Sequence, residues 1–232
     1  MNLAITVCLI FILYNTDNCF TTNLKSNKND SQMNKTNPNE IILPQPKFTG
    51  KYSLEECILR RRSVRKYINK PLSLEQISQI LWSAQGITDK KKGGRTAPSA
   101  GALYPLELYV FTHDGIYHYL PETHKLIKIS NNDAREQLMV ASFGQYFINQ
   151  AGISVVICAV YKKVTEKYGK RGIRYVDIEA GHTAQNIHLQ AIALGLDSVP
   201  VGAFDDESVK KLLNLDKDEQ PIYIIPVGYA DK

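Results

Sequence analysis

Residues 60–67, RRRSVRKY, gather Arg60, Arg61, Arg62, Arg65 and Lys66 around the hydroxyl of Ser63. Guanidinium groups stay charged at every relevant pH, and their planar forks match phosphate oxygens two at a time. Such a cluster at a helix end is a candidate phosphate seat, although basic residues there also complement the helix's own dipole. The main-chain cradles for phosphate are missing. No G-x-G-x-x-G and no G-x-x-x-x-G-K-[ST] occurs, and the GKRG at 169–172 has the wrong spacing. A phosphorylated cofactor would have to be held by side chains. The five histidines, at 113, 118, 124, 182 and 188, show no H-E-x-x-H or other metal spacing, so no metal is expected. The four cysteines form no C-x-x-C pair, and Cys158, inside the apolar run 153–160, reads as a small buried hydrophobe. Lys90, Lys91 and Lys92 read as a solvated face. No basic stripe interleaved with aromatics accompanies the formal charge of +5, which leaves nucleic acid without support as a partner.

The elements that must position these groups follow from pattern. Leu3 to Tyr14 is an apolar run too short for a comfortable membrane span and suited to the core of a signal peptide, although no Lys or Arg precedes it. Residues 1–20 are therefore expected to be an export-like leader. This makes the chain exported or membrane-anchored, with membrane contact only through an uncleaved leader, and otherwise cytoplasmic. Residues 21–49, rich in Asn, Lys, Ser and Thr, are expected to be a polar linker, with the folded domain at 50–232.

Ser53 with Glu56, and Ser73 with Gln76, are capping boxes that predict a short helix to about Leu59 and a longer one closed by Gly86. The small-residue segment GGRTAPSAGALYP, 93–105, predicts a loop where backbone could approach a ligand. Alternation from Leu106 to Thr112, the Asp114-Gly115 turn, IYHYL and KLIKI predict three antiparallel strands. Further expected elements are a helix over 133–141, a buried central strand over 153–161, a long helix over 178–194 and a short helix over 207–215. Strands are expected at 198–204 and 222–227. The fold class is α+β, a mixed and mainly antiparallel sheet flanked by helices.

Five blocks occur in one order: RRRSVRKY at 60–67, PSAGALYPLELYVF at 98–111, RYVDIEAGHTAQNIHLQAIALGL at 174–196, VPVGAFD at 199–205 and PVGY at 226–229. In that order they resemble the nitroreductase superfamily, and most of all its SagB-type dehydrogenase branch. The resemblance implies a homodimer with two FMN sites at its interface and a ping-pong exchange of hydride at flavin N5. By matching positions, Arg61, Arg62, Ser63 and Arg65 would hold the FMN phosphate and ribityl chain. Pro98, Ser99, Ala100 and Gly101 would border the flavin from the partner subunit. Pro200, Val201, Gly202 and Ala203 would face the isoalloxazine, with a backbone N–H at N5 that favours the reduced ring.

Two departures follow from the same alignment. Lys232 is the one residue in place to serve as the distal basic contact to the phosphate, and Gly202 stands where an acidic residue is often found near N5. In peptide-modifying members of the branch a Lys-Tyr pair assists proton removal during azoline oxidation, and Lys167 and Tyr168 are the candidates here. A lysine taken out of water can serve as such a base, while an ordinary surface pair is the plain alternative. The expected function is FMN-dependent hydride transfer to or from a small-molecule or peptide-borne substrate. The alternatives are an NAD(P)H-dependent nitro or quinone reductase, with NAD(P)H as co-substrate, and a flavin-binding protein without turnover.

Overall fold

The computed structural model describes residues 39–231; the expected leader, residues 21–38 and Lys232 lie outside them. Strand β1 (Glu40–Ile42) pairs antiparallel with the strand at 125–130, and Leu43 behind it is buried. The carbonyl of Pro44 accepts the Ser78 hydroxyl and lies 3.0 Å from His124 Nε2. This corrects the expected domain start at 50, since at least residues 40–44 are built into the sheet and core. Three strand residues and one leucine carry too little periodicity to announce themselves.

Helix α1 (Leu54–Arg60) starts at Ser53, whose hydroxyl accepts the Glu56 N–H; the Glu56 carboxylate pairs with Arg60 one turn on and does not close the box. Helix α2 (Leu74–Gln85) has both bonds of its capping box, between Ser73 and Gln76. Gly86 ends it in an extended conformation, not the left-handed one expected of a glycine cap. Glycine is needed there because a β-carbon would stand 2.3 Å from the Trp82 ring and 2.6 Å from its carbonyl oxygen. A small ribbon of β2 (Ile87–Asp89) and β3 (Gly94–Arg95) leads to a 3₁₀ turn at Ala100–Ala102.

Then come β4 (Leu106–Thr112), β5 (Gly115–Leu120) and β6 (Lys125–Ser130), the expected meander, followed by α3 (Arg135–Ala141) and α4 (Phe147–Gln150). Strand β7 (Ile153–Val160) is buried along both faces apart from its last residue, as its unbroken apolar run predicts. Helix α5 (Lys162–Tyr168) was not expected; its one buried residue, Val164, gives no periodic signal. Helix α6 (Arg171–Ala193) begins two turns before the predicted start because Gly172 lets it pack on the backbone of Val164 and Thr165. The strand expected at 198–204 is reduced to β8 (Asp197–Ser198) and a bridge from Val201 to Ile224. Helix α7 (Asp206–Leu213) and strand β9 (Glu219–Gly228) complete the described chain.

The seven-stranded sheet runs β1-β6-β5-β4-β7-β9-β8, and each of these pairs is antiparallel; a parallel bridge from Ser63 to Ser198 adds the mixed element. On one face Leu108, Val110, Val155, Ile157 and Ile225 pack against Ile80, Leu81 and Ala84 of α2 and Val176, Ala180, Ala184 and Ile187 of α6. On the other, Phe111, Val156, Cys158 and Ile224 meet Leu138 of α3, Ile148 of α4 and Val209 of α7. Each fully buried leucine, isoleucine or phenylalanine contributes about 1.5–3 kcal/mol, so both layers anchor the sheet that carries the loops described next.

Candidate active site

The arginine segment leaves α1 and zips along the sheet edge. Ser63 bridges Ser198, the Val64 N–H donates to the Ser198 carbonyl at 3.2 Å, and Tyr67 bridges Ala230. Lys66 pairs with Asp231 at 2.8 Å. The neighbouring strand then continues from Ser198 through Val201, which exchanges two backbone bonds with Ile224 at 2.8 and 3.0 Å. Past Val201 the chain lifts off the sheet, so Gly202 and Ala203 are exposed; a β-carbon at Gly202 would meet nothing nearer than the Tyr223 ring at 3.9 Å. Pro200, half-buried, sits between the bridges. Arg62 turns back to donate to the carbonyls of Leu59 and Arg61, which makes it a cap of its own helix. Among the described residues the guanidinium groups of Arg61 and Arg65 have no hydrogen-bond or ion-pair partner.

Under this edge lies His188 of α6. Its Nδ1 is 2.6 Å from Ser198 Oγ, while Nε2 is buried without a partner. Burial, and then the nearby Arg61 charge, hold its imidazole down to about 4, so it is neutral near pH 7.

A second cluster forms around the 98–104 loop. Pro98 is exposed, and Ser99 and Ala100 are half-buried. Gly101, at φ +63°, faces the tip of α5: a β-carbon there would stand 2.7 Å from Tyr168 Oη and 2.9 Å from Lys167 Nζ. Ala102 and Tyr104 share the left-handed region at φ 53° and 45°. Neither has glycine's freedom, and this backbone costs about 1–2 kcal/mol per residue. It is held by a backbone bond from the Ala102 N–H to the Ser99 carbonyl at 3.0 Å and by side chains. The Tyr104 N–H donates to Ser99 Oγ at 2.9 Å, and Tyr104 Oη accepts the Arg95 N–H at 3.1 Å. The Arg95 guanidinium stacks over the Tyr104 ring at 4.6 Å, donates to Gln85 at 3.3 Å and pairs with Glu122 at 2.7 Å. Tyr168 is fixed edge-on against Tyr175 at 5.3 Å. Beneath the loop, Glu179 of α6 is buried, and burial pushes its carboxyl up to about 7 against the opposing pull of Ser99, Gln85 and Arg95.

The nitroreductase family pattern matches residues 58–229, which include both clusters. The chain belongs to the nitroreductase family. The Methanocaldococcus jannaschii protein MJ1384, whose name places it among nitroreductases, is 43% identical over 195 residues, covering 82% of this chain and 96% of that one. The Escherichia coli microcin B17-processing protein McbC is 29% identical over 157 residues, 63% of this chain and 58% of McbC. The crystal structure of a Ralstonia eutropha protein, also named as a nitroreductase, superposes with a TM-score of 0.76 at 30% identity and covers 84% of this chain and 90% of its own.

Within this nitroreductase-family oxidoreductase the expected residues fall into two groups on each chain. Arg61, Ser63 and Arg65 lie along the edge that leads to Gly202, while Gly101 lies against Lys167 and Tyr168. Helix α6 separates them: from Glu179, under the second group, to His188, under the first, is about 14 Å at 1.5 Å per residue. Lys232 lies outside the described residues. Among the described residues no three His, Cys, Asp or Glu side chains are placed to hold a metal ion. A groove of about 870 Å3, lined by Cys57, Trp82, Thr96, Asn186 and Gln190 among others, contains none of the expected residues. The expectation missed Glu179, Gln85, Arg95, Tyr104 and the orphaned nitrogen of His188. One signal was available for Glu179, a carboxylate in step with the stripe Ala180, Thr183, Ala184 and Ile187 that the helix buries.

Proposed function

We propose that this chain is an FMN-dependent dehydrogenase of the SagB type, working as a homodimer on a small or peptide-borne substrate. The observation that carries the reading is the bridge between Ser63 and Ser198. Through it Arg61 and Arg65, whose guanidiniums have no partner among the described residues, share a sheet edge with the exposed backbone of Gly202 and Ala203. The residues present fit the cofactor: the guanidiniums suit a phosphate, and the open backbone at Gly202 lets a flat ring come close. FMN, when bound, supplies a two-electron acceptor and donor at N5.

The chain's own residues have separate roles in this reading. Arg61 and Arg65 bind the phosphate, with the Ser63 hydroxyl beside them, and the amides at 201–203 orient and polarise the ring. Lys167 takes a proton from the substrate, and Tyr168 holds the geometry of that transfer. The separation along α6 supports a dimer, because in one chain Gly101 and Gly202 serve different sites, and a two-fold axis across α6 would bring each opposite the other's partner. The exposed face of α6 suits such an axis, with Ile178 49% exposed and room for a neighbour beside Gly181. The name of McbC, a microcin-processing protein, supports a peptide-borne substrate. Gly202 in place of an acidic residue favours this branch over an NAD(P)H-dependent nitro or quinone reductase.

The test is the absorbance spectrum of protein purified from flavin-replete cells. Flavin bands are expected, and they are expected to vanish in the Arg61→Ala, Arg65→Ala double variant. A colourless wild-type protein that takes up no added FMN refutes the reading. Rapid bleaching by NAD(P)H, with reoxidation by a quinone, would move the assignment to the reductase.

A further inference from the structure

The arginine segment is thinly attached to the fold. From Arg61 to Lys66 its residues are exposed or half-buried, and their contact with a distant strand falls on Ser198, through the bridge from Ser63 and the Val64 N–H donated to the Ser198 carbonyl at 3.2 Å. Tyr67, buried at the far end, donates its hydroxyl to the Val64 carbonyl at 2.8 Å. Beyond that point the chain is tied to 229–231 instead, by the Ile68 N–H to the Tyr229 carbonyl at 3.1 Å and the Asp231 N–H to the Lys66 carbonyl at 3.0 Å. Arg61 and Arg65 therefore flank one short contact, and its other side is Ser198.

Ser198 ends a strand of two residues, β8, which pairs with β9 at Asp197–Gly228 and Ser198–Val227. Leu196 and Val199 on either side are buried and hold the path of the chain, but packing is not directional. A directional tie comes from α6, where His188 Nδ1 lies 2.6 Å from Ser198 Oγ across the turn through Gly195. His188 is 4% exposed and its Nε2 has no partner, so the ring has a single polar attachment. A bare buried lone pair is better tolerated than a bare N–H, which sets the proton on Nδ1: His188 donates and Ser198 accepts. Buried as it is, the imidazole does not reach the exposed edge itself and acts there through Ser198.

We propose that His188 is the positioning residue of the arginine edge: its bond to Ser198 fixes the strand end on which Ser63 and Val64 are laid, and with it the arrangement in which Arg61 and Arg65 meet a phosphate monoester, so that FMN is preferred over riboflavin. The preference between flavins rests on the reading that these arginines bind the FMN phosphate; the structural part stands apart from it.

Hydrogen exchange of the full-length protein without added flavin, followed for the peptide spanning 61–67, tests the structural part. Protection is expected to fall about tenfold in His188→Leu, the effect of losing one buried hydrogen bond. His188→Asn, whose amide nitrogen can stand where Nδ1 stands, is expected to restore it. Ser198→Ala removes the same bond from the other side and covers the case of a His188 variant that does not fold; combined with His188→Leu it is expected to lose no more than either change alone. Wild-type protection in His188→Leu or in Ser198→Ala, or losses that add in the double variant, overturns the proposal. Added FMN, followed by fluorescence quenching, is expected to bind His188→Leu about tenfold more weakly than wild type, while riboflavin, which lacks the phosphate, binds both alike. Equal losses for the two flavins would mark a general loosening and overturn the link to the phosphate. Protein that binds no FMN yet shows the expected exchange refutes the flavin reading and keeps the role of His188; FMN binding with no difference in exchange does the reverse.

Discussion

Gly101 faces Tyr168 so closely that a β-carbon on the glycine would stand 2.7 Å from the phenol oxygen. The obstructing atoms, Tyr168 Oη and Lys167 Nζ, are the far ends of flexible side chains and can swing away. The left-handed backbone of Gly101 cannot be relieved in this way. Gly101→Ala is therefore expected to cost about 1 kcal/mol, seen as a fall of roughly 2–4 °C in melting temperature. An unchanged melting temperature would mean that the loop has no fixed conformation. Tyr168→Phe keeps the edge-on contact with Tyr175 and is expected to melt like wild type while turnover drops about a hundredfold. Equal turnover would remove Tyr168 from the chemistry.

The proposed two-fold axis makes its own prediction. Ile178→Glu puts a charge on the exposed stripe of α6 without touching the core, so the fold should survive while the dimer does not. Light scattering on a sizing column is expected to show a dimer for wild type and a monomer for the variant, with flavin lost in parallel. A wild-type monomer carrying a full complement of flavin would show that each site is complete in one chain.

The corrected domain start can be checked by truncation. A chain begun at Lys51 lacks β1, Leu43 and the Pro44 carbonyl that meets Ser78 and His124. Compared with a chain begun at Thr36, it is expected to lose several kcal/mol in urea unfolding. Leu43→Ala alone should lose about 2–4 kcal/mol, the usual cost of truncating a fully buried leucine. Indistinguishable midpoints would return the segment to the role of a linker.

Two buried groups on α6 titrate in opposite senses. His188 is held to about 4 in the fold against an ordinary 6.5, so the unfolded chain takes up the proton first as pH falls. Its contribution is complete above pH 6.5 and lost between 6.5 and 4. Glu179, raised to about 7 from an ordinary 4.5, contributes fully below pH 4.5, and that contribution is lost between 4.5 and 7. Each window corresponds to up to about 3 kcal/mol, and where they overlap the slopes cancel. Urea midpoints of wild type should accordingly vary little between pH 5 and 6.5. Glu179→Gln should lose stability on acidification over that range and His188→Asn should gain it. Parallel profiles for the three proteins would show that neither group titrates as its burial requires.

The layered α+β architecture was legible from local pattern. Alternation marked β4 to β6, an unbroken apolar run marked β7, and Ser73 with Gln76 marked α2, because each signal is a relation between residues within one or two turns or along one strand. The order of the family blocks, too, is a property of the chain as written. Only the tertiary structure decided how the candidate site is divided. Arg62 turned out to cap its own helix, Ser63 joined Ser198 across more than half the chain, and α6 kept the arginine edge apart from Gly101 and Lys167. A residue's chemical type is fixed by the sequence at its own position. Whether its polar atoms are buried, paired or left bare, as at Glu179 and His188, depends on neighbours supplied by distant segments, and local periodicity carries no information about those.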